Sequence, residues 1–295
     1  MTVRYAVSHV TKIDYATPLH LARFKVRLRP ATWPGNSVSH FELNIDPVPG
    51  ALSEGQGAYY VNESKFTLGD AVRHLQIESR FTVARDVPPS GMSLGSGPDL
   101  RALRERAMAS SDLTALGPAS YIFASPIAVP EREIAEWASG ILDESMPVTV
   151  AGAALMKAIY SEFAFDADAT YPDTAPIEAF HQRRGVCQDF THVMITAARA
   201  YGIPAAYVSG YLRTYPPPGK ARLVGANAMH AWVNLWCGEE LGWVGFDPTN
   251  DKLADADHIF IGMGRDYSDV APIDGTFRGG ARQAMSYAVD VAPLD

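Results

Sequence analysis

The chain has 295 residues, of which 47% are hydrophobic and 20% charged. These values are ordinary for a globular protein with ample core. The net charge of -8 disfavours a broad nucleic-acid surface, which needs clustered lysine and arginine. Its two cysteines, Cys187 and Cys237, are too few for a disulfide framework. Because no signal peptide and no apolar run of the ~20 residues that span a membrane is visible, we expect a cytoplasmic protein without a membrane partner.

Residues 1–87 carry short runs of alternating apolar and polar side chains, for example at 3–7 and 24–28. Proline, glycine or asparagine bounds each run, as in an antiparallel β-sandwich. We therefore predict a β-rich N-terminal domain over 1–87. Its histidines have no metal-ligand spacing, so no metal site is expected there.

Residues 88–148 are predicted to form a linker followed by a helical segment. A proline-, glycine- and serine-rich stretch, 88–98, indicates a domain boundary. Apolar residues then recur at helical spacing in 99–108, after Pro130, and in 150–163. We assign 149–295 to a third unit, a core with a C-terminal strand.

The stretch 184–201 brings a cysteine to the first turn of a helix. Its apolar residues recur at helical spacing: Phe190, Val193, Met194, Ala197 and Ala198. Gly202 and Pro204 then end the helix. A thiol at Cys187 would lie among unpaired backbone N–H groups at the positive end of the helix, which favours the thiolate.

After this helix the period changes to two, which predicts strands at 205–213, 230–236 and 243–247. A turn at 238–242 would pair the last two as a hairpin. His230 and Asp247 then fall near the same end of the pair, where a carboxylate can orient an imidazole. If the sheet packs on the helix, Cys187, His230 and Asp247 become nucleophile, base and orienting group.

Each of these residue types alone is more often structural, and only their combination favours catalysis. Asp189 and His192 are candidates for supporting the triad from the same helix, although an aspartate at a helix start is favourable in any case. Trp232 and Tyr211 are candidates for a substrate groove, although at strand spacing they are more often core. A metal site of Cys187, His230 and Cys237 would lack paired short spacings, so we expect no metal and no cofactor.

Several motifs carry a family resemblance. They read GVCQDF from Gly185, GIPAAYVSGY from Gly202, HAWVNLW from His230 and GWVGFDPTN from Gly242. Together they resemble the transglutaminase-like superfamily of papain-type cysteine enzymes. The N-terminal run 5–30 and the run 265–275 resemble its bacterial branch, which has its own β-rich N-terminal domain.

The resemblance implies an α+β fold in which helices pack on an antiparallel sheet, with an N-terminal antiparallel β-sandwich-like domain. It also implies acyl transfer by Cys187, with His230 as base and Asp247 as the third member. The expected substrate is a peptide or protein amide, hydrolysed through a thioester. Transamidation and a non-catalytic binding module on the same fold remain alternatives, and loops such as 213–228 would decide water access. The sequence leaves the oligomeric state open.

Overall fold

The computed structural model of the chain describes residues 2–69, 71–86, 94–215, 229–278 and 282–294. The fold is α+β, with an N-terminal antiparallel β region and a core of helices on an antiparallel sheet, which confirms the predicted fold class. Within these ranges, no helix is both long and apolar enough to cross a membrane.

The strands, in chain order, are β1 (Thr2–Val26), β2 (Asn36–Asp46), β3 (Leu52–Gln56), β4 (Asn62–Leu68), β5 (Val72–Asp86), β6 (Ala164–Phe165), β7 (Arg184–Gly185), β8 (Ala205–Leu212), β9 (Met229–Trp236), β10 (Trp243–Asp247), β11 (Lys252–Leu253), β12 (His258–Gly264), β13 (Ile273–Arg278) and β14 (Gln283–Leu294). The helices are α1 (Leu100–Ala109), α2 (Arg132–Ser139), α3 (Val148–Glu162), α4 (Pro176–Gln182), α5 (Cys187–Ala200) and α6 (Tyr267–Val270), with a 3-10 turn at Pro118–Tyr121.

The N-terminal β region is organised around β1, a single strand of 25 residues. Its first half pairs with β5 and its last residues pair with β4, both antiparallel. The register shifts between Asp14 and Leu19, and Leu21 has a positive φ of 53°. The sequence predicted separate short strands here, because a local irregularity interrupts the alternation without ending the strand.

The last two strands return to the N-terminal β region. Both β13 and β14 pair antiparallel with β1. Side chains of β1, β5, β8, β12 and β14 form one buried cluster: Tyr5, Val7, Phe81, Val83, Tyr211, Ile259, Ile261, Val289 and Val291. The division into 1–87, 88–148 and 149–295 stays a prediction, and part of the predicted linker, 88–93, lies outside the described residues.

The core sheet has the strand order β11-β10-β9-β8-β12. Helix α5 packs on β8 and β9 and is enclosed on its other sides by α2, α3 and α4. It is therefore buried almost continuously from Asp189 to Ala198, rather than along the single stripe that its apolar spacing predicted. This central position holds the start of α5 near the start of β9.

Candidate active site

Cys187 is the first residue of α5, and a compact backbone path leads to it. Asp189 is 2% exposed, and its Oδ2 accepts hydrogen bonds from the Val186 N–H at 2.7 Å and from Thr170 Oγ1 at 2.7 Å. Burial raises the pKa of Asp189, against the lowering effect of these hydrogen bonds. Asp189 therefore fixes the segment in front of Cys187, and none of its described hydrogen bonds reaches His230.

Gly185 leaves the space that this cap needs. Its φ is 156°, and a Cβ built on it would lie 2.5 Å from Oδ2 of Asp189. Any larger residue would therefore displace the carboxylate that accepts from Val186.

His230 lies at the start of β9 and Asp247 at the end of β10, which pair antiparallel. His230 Nε2 is 2.7 Å from Asp247 Oδ2. Cys187 lies close enough to the imidazole to interact with it by hydrogen bonding and by charge. Because Asp247 uses Nε2, Nδ1 is the nitrogen left for the thiol. The three predicted residues thus lie together in the order Cys187, His230, Asp247.

The buried carboxylate and thiol determine the charge of the imidazole. Burial lowers the pKa of His230, but hydrogen bonds with Asp247 and Cys187 outweigh it and raise the pKa to about 10. Burial likewise raises the pKa of Asp247, but hydrogen bonds from His230 and His258 hold it well below its usual range. Near neutral pH the site therefore contains an imidazolium beside an ionised carboxylate.

The sequence analysis missed two further partners of Asp247. Asn250 Nδ2 donates to Asp247 Oδ2 at 2.7 Å, and His258 Nε2 lies 3.1 Å from the same oxygen. Asn250 ends the motif that contains Asp247, so its place in the motif was an available signal. His258 is the first residue of the buried strand β12. It has no periodic relation to the triad, and one sequence gives no signal for it.

Among the described residues, one group has metal-ligand geometry: His230, Asp247 and His258, whose ligand atoms lie within 4.8 Å of one another. Their mutual hydrogen bonds account for this arrangement. Cys237 is not part of this group. It is buried in the core, 1% exposed, and its Sγ lies 3.5 Å from the Leu235 carbonyl oxygen. The structure therefore does not bring Cys187, His230 and Cys237 together as metal ligands.

His192 does not point to the triad. Its Nε2 accepts a hydrogen bond from the Tyr267 N–H at 3.2 Å, and burial lowers its pKa to about 4. A neutral imidazole that accepts from the backbone ties α5 to α6. This role is structural. The described hydrogen bonds include none from His192 to Asp247 or His230, so nothing in them supports the predicted role of His192 beside the triad.

The two groove candidates are buried. Trp232 is 2% exposed and stacks beside His230, with ring centroids 6.1 Å apart. Tyr211 is 0% exposed, and its hydroxyl lies 2.9 Å from Nδ1 of His9. Trp232 therefore packs beside His230, and Tyr211 joins β8 to β1 through His9. Both side chains are buried rather than open to solvent.

Comparisons with known proteins identify the family of this chain. Residues 135–248 match the model of the transglutaminase-like superfamily, and residues 5–84 match the bacterial transglutaminase-like N-terminal region. An uncharacterized protein of Mycobacterium tuberculosis is 34% identical over 310 residues, covering 100% of this chain and 94% of that protein. A protein-glutamine gamma-glutamyltransferase of Pseudomonas aeruginosa is 34% identical over 108 residues, which are 36% of this chain and 16% of that protein.

A solved structure described as a candidate cysteine protease of Cytophaga hutchinsonii shares the fold. It aligns with a TM-score of 0.76 at 19% identity and covers 100% of this chain and 92% of that one. The chain therefore belongs to the transglutaminase-like superfamily and carries the bacterial transglutaminase-like N-terminal region. The matched core segment contains Cys187, His230 and Asp247.

Proposed function

We propose that the protein is a cysteine-dependent hydrolase of amide or peptide bonds that works through a thioester. The observation that carries this proposal is the placement of His230, whose Nε2 lies 2.7 Å from Asp247 Oδ2 and whose ring interacts with Cys187. A thiol that has given its proton to such a histidine is a thiolate, the reactive form of cysteine.

In the first half of the reaction, the Cys187 thiolate attacks the amide carbonyl carbon and forms a C–S bond. The oxyanion accepts a hydrogen bond from the Cys187 N–H, which belongs to the first turn of α5 and has no intrahelical acceptor. Nδ1 of the His230 imidazolium then donates its proton to the amide nitrogen. The C–N bond breaks, the amine leaves and the thioester remains.

In the second half, neutral His230 takes a proton from water while the water oxygen attacks the thioester carbonyl. The C–S bond breaks, the carboxylic acid leaves, and the thiolate–imidazolium pair is restored. Asp247 keeps Nε2 protonated throughout, so that Nδ1 is always the nitrogen that exchanges the proton.

Water needs no binding site of its own, and for this reason we propose hydrolysis first. Transamidation would use the same thioester with an amine as acceptor, and the name of the Pseudomonas aeruginosa relative supports it as the alternative. We further propose a peptide or protein substrate and, from the low cysteine count, a cytoplasmic location.

The test is a peptide library incubated in heavy-oxygen water, with and without a small primary amine, and read by mass spectrometry. We expect shorter or deamidated peptides that carry heavy oxygen, even when the amine is present. Products that contain the amine instead would establish transamidation.

The matched variants are Cys187→Ala and Cys237→Ala. The first should form no product and keep a melting temperature close to that of the unmodified protein, whereas the second should remain active because Cys237 is buried away from the site. Turnover that survives in Cys187→Ala contradicts the proposal, and a library without any product favours a binding module.

A further inference from the structure

His258 is a buried histidine outside the predicted triad, and it connects two carboxylates. It is 1% exposed. Its Nε2 lies 3.1 Å from Oδ2 of Asp247, and its Nδ1 lies 2.9 Å from Oδ1 of Asp255. The Asp255 backbone N–H also reaches Nδ1 at 3.1 Å. Trp232 packs edge-on against the His258 ring, with the two ring centroids 5.1 Å apart, so the imidazole has little freedom to rotate.

Asp247 receives donors on both oxygens. Oδ2 accepts from His230, Asn250 and His258, and Oδ1 accepts from the backbone N–H groups of Thr249 and Asn250. An ionised carboxylate can only accept, so the nitrogen of His258 that faces Asp247 must carry a proton. Together these bonds fix the plane of the carboxylate relative to His230.

The N-terminal β region holds the segment that carries His258. Arg85 Nη2 donates to the Asp255 carbonyl at 3.1 Å, and Tyr5 Oη donates to Asp257 Oδ1 at 2.8 Å. Asn36 Nδ2 donates to the Phe260 carbonyl at 3.2 Å. Residues 255–260 are thus fixed on one side by the N-terminal region and on the other by the catalytic carboxylate.

We propose that His258 is a positioning residue for Asp247, and that the N-terminal β region keeps it in place by binding residues 255–260. The inference rests on the proposed function, since it concerns the same thiolate–imidazolium pair. It gives the N-terminal region a part in catalysis without requiring it to touch substrate.

The charged and titratable neighbours determine which way the pH dependence should change. His230 faces Asp247 and Cys187, with the ring of His258 6.0 Å away. Asp255 lies on the side of His258 away from Asp247, and its Oδ2 is 3.2 Å from Lys252 Nζ. Without His258, Asp247 loses a donor and can turn away from His230. The pKa of His230 then falls, because burial of the imidazole persists while its counter-charge is less well placed.

The experiment compares alkylation of Cys187 by iodoacetate and by iodoacetamide from pH 5 to pH 11, with the full-length protein. The imidazolium attracts anionic iodoacetate but not neutral iodoacetamide, so the ratio of the two rates drops where His230 loses its proton. We expect this step at about pH 10 in the unmodified protein. In His258→Leu it should move down by at least about one pH unit. In His258→Gln, whose amide can replace the donor, it should lie closer to the unmodified value.

His9→Leu is the matched control, because His9 is a buried histidine bonded to Tyr211 and not to Asp247. Its step should remain where it is in the unmodified protein. A step in His258→Leu that stays in place or moves up overturns the proposal. If the unmodified protein shows no step, the thiolate–imidazolium pair is absent, and both the proposed function and the positioning role fail.

The contribution of the N-terminal region is tested with Arg85→Met, against Arg80→Met in the same strand. Arg80 is exposed and pairs with Glu78, so its loss should not move the step. Arg85→Met should move it down, by less than His258→Leu does. Equal steps in Arg85→Met and Arg80→Met overturn the part assigned to the N-terminal region.

Discussion

The partners of each buried imidazole determine whether it carries a proton. Burial lowers the pKa of His192 to about 4. The neutral ring accepts a hydrogen bond from the Tyr267 N–H. Burial also lowers the pKa of His230, but Asp247 and Cys187 reverse the effect and raise it to about 10. These two buried histidines therefore differ in charge near neutral pH, and the charged one, His230, lies beside Cys187.

Replacing Asp247 by asparagine should remove most of this difference. Asp247→Asn keeps the size of the side chain but not its negative charge, so the pKa of His230 should fall from about 10 to below about 6.5. NMR titration of the histidine ring carbons measures this. The His192 signal should not move, and a His230 titration that stays near pH 10 in the variant would contradict the account.

The raised pKa of His230 also makes stability depend on pH. Since the folded-state pKa of His230 lies above the unfolded value of 6.5, its protonation stabilises the fold fully below about pH 6.5, and this contribution is lost as the pH rises to about 10. Urea unfolding should therefore show a larger loss of free energy between pH 6.5 and pH 10 in the unmodified protein than in Asp247→Asn. Equal losses in both would refute the linkage.

At the level of elements, the start of α5 depends on a cap that the sequence supplies locally. Asp189 closes the first turn by accepting from Val186, and β7 places Gly185 against β6. The sheet supplies the other side of the site, since β9 and β10 carry His230 and Asp247. Precise placement of the thiol therefore depends on a helix start and a hairpin that contact each other through the core.

Gly185→Ala should disturb this helix start. Its Cβ would lie 2.5 Å from Asp189 Oδ2, so the cap must move, at a cost of about 1–3 kcal/mol. We expect a lower free energy of unfolding and slower alkylation of Cys187. Gly55→Ala is the control, because a Cβ there meets no atom within 4 Å. Equal effects of the two substitutions would show that the cap does not position the thiol.

At the level of the whole molecule, the two halves share one core. The C-terminal strands β13 and β14 pair with β1. The cluster around Tyr5 and Tyr211 combines side chains of the N-terminal β region with side chains of the core strands β8 and β12. Trp33 of the N-terminal half stacks on Phe260 of β12 with ring centroids 4.2 Å apart. Such a shared core couples the stability of the N-terminal region to that of the active site.

We therefore expect the protein to unfold in one transition. Urea curves followed by tryptophan fluorescence and by far-ultraviolet circular dichroism should coincide. Alkylation of Cys237, which is buried in the core cluster between α5 and β9, should become fast over the same urea range. Two separated transitions would mean that the halves are independent, contrary to their shared core.

The sequence predicted the parts of the site that local patterns define. A helix start explains Cys187, and a hairpin of known turn length explains why His230 and Asp247 meet. His258 could not be predicted in this way, because its contact with Asp247 depends on the pairing of β12 with β8 at the edge of the core sheet. The return of β13 and β14 to β1 is likewise a long-range pairing, and the alternation of one strand does not identify its partner.

The central claim is that His230 activates Cys187, and selective alkylation tests it most directly. Burial raises the pKa of Cys237 to about 12, so only about one molecule in 10⁵ carries this thiolate at pH 7. Iodoacetamide at pH 7, with the modified peptides quantified by mass spectrometry, should label Cys187 at least about 100-fold faster than Cys237. Equally slow labelling of both cysteines would contradict the account.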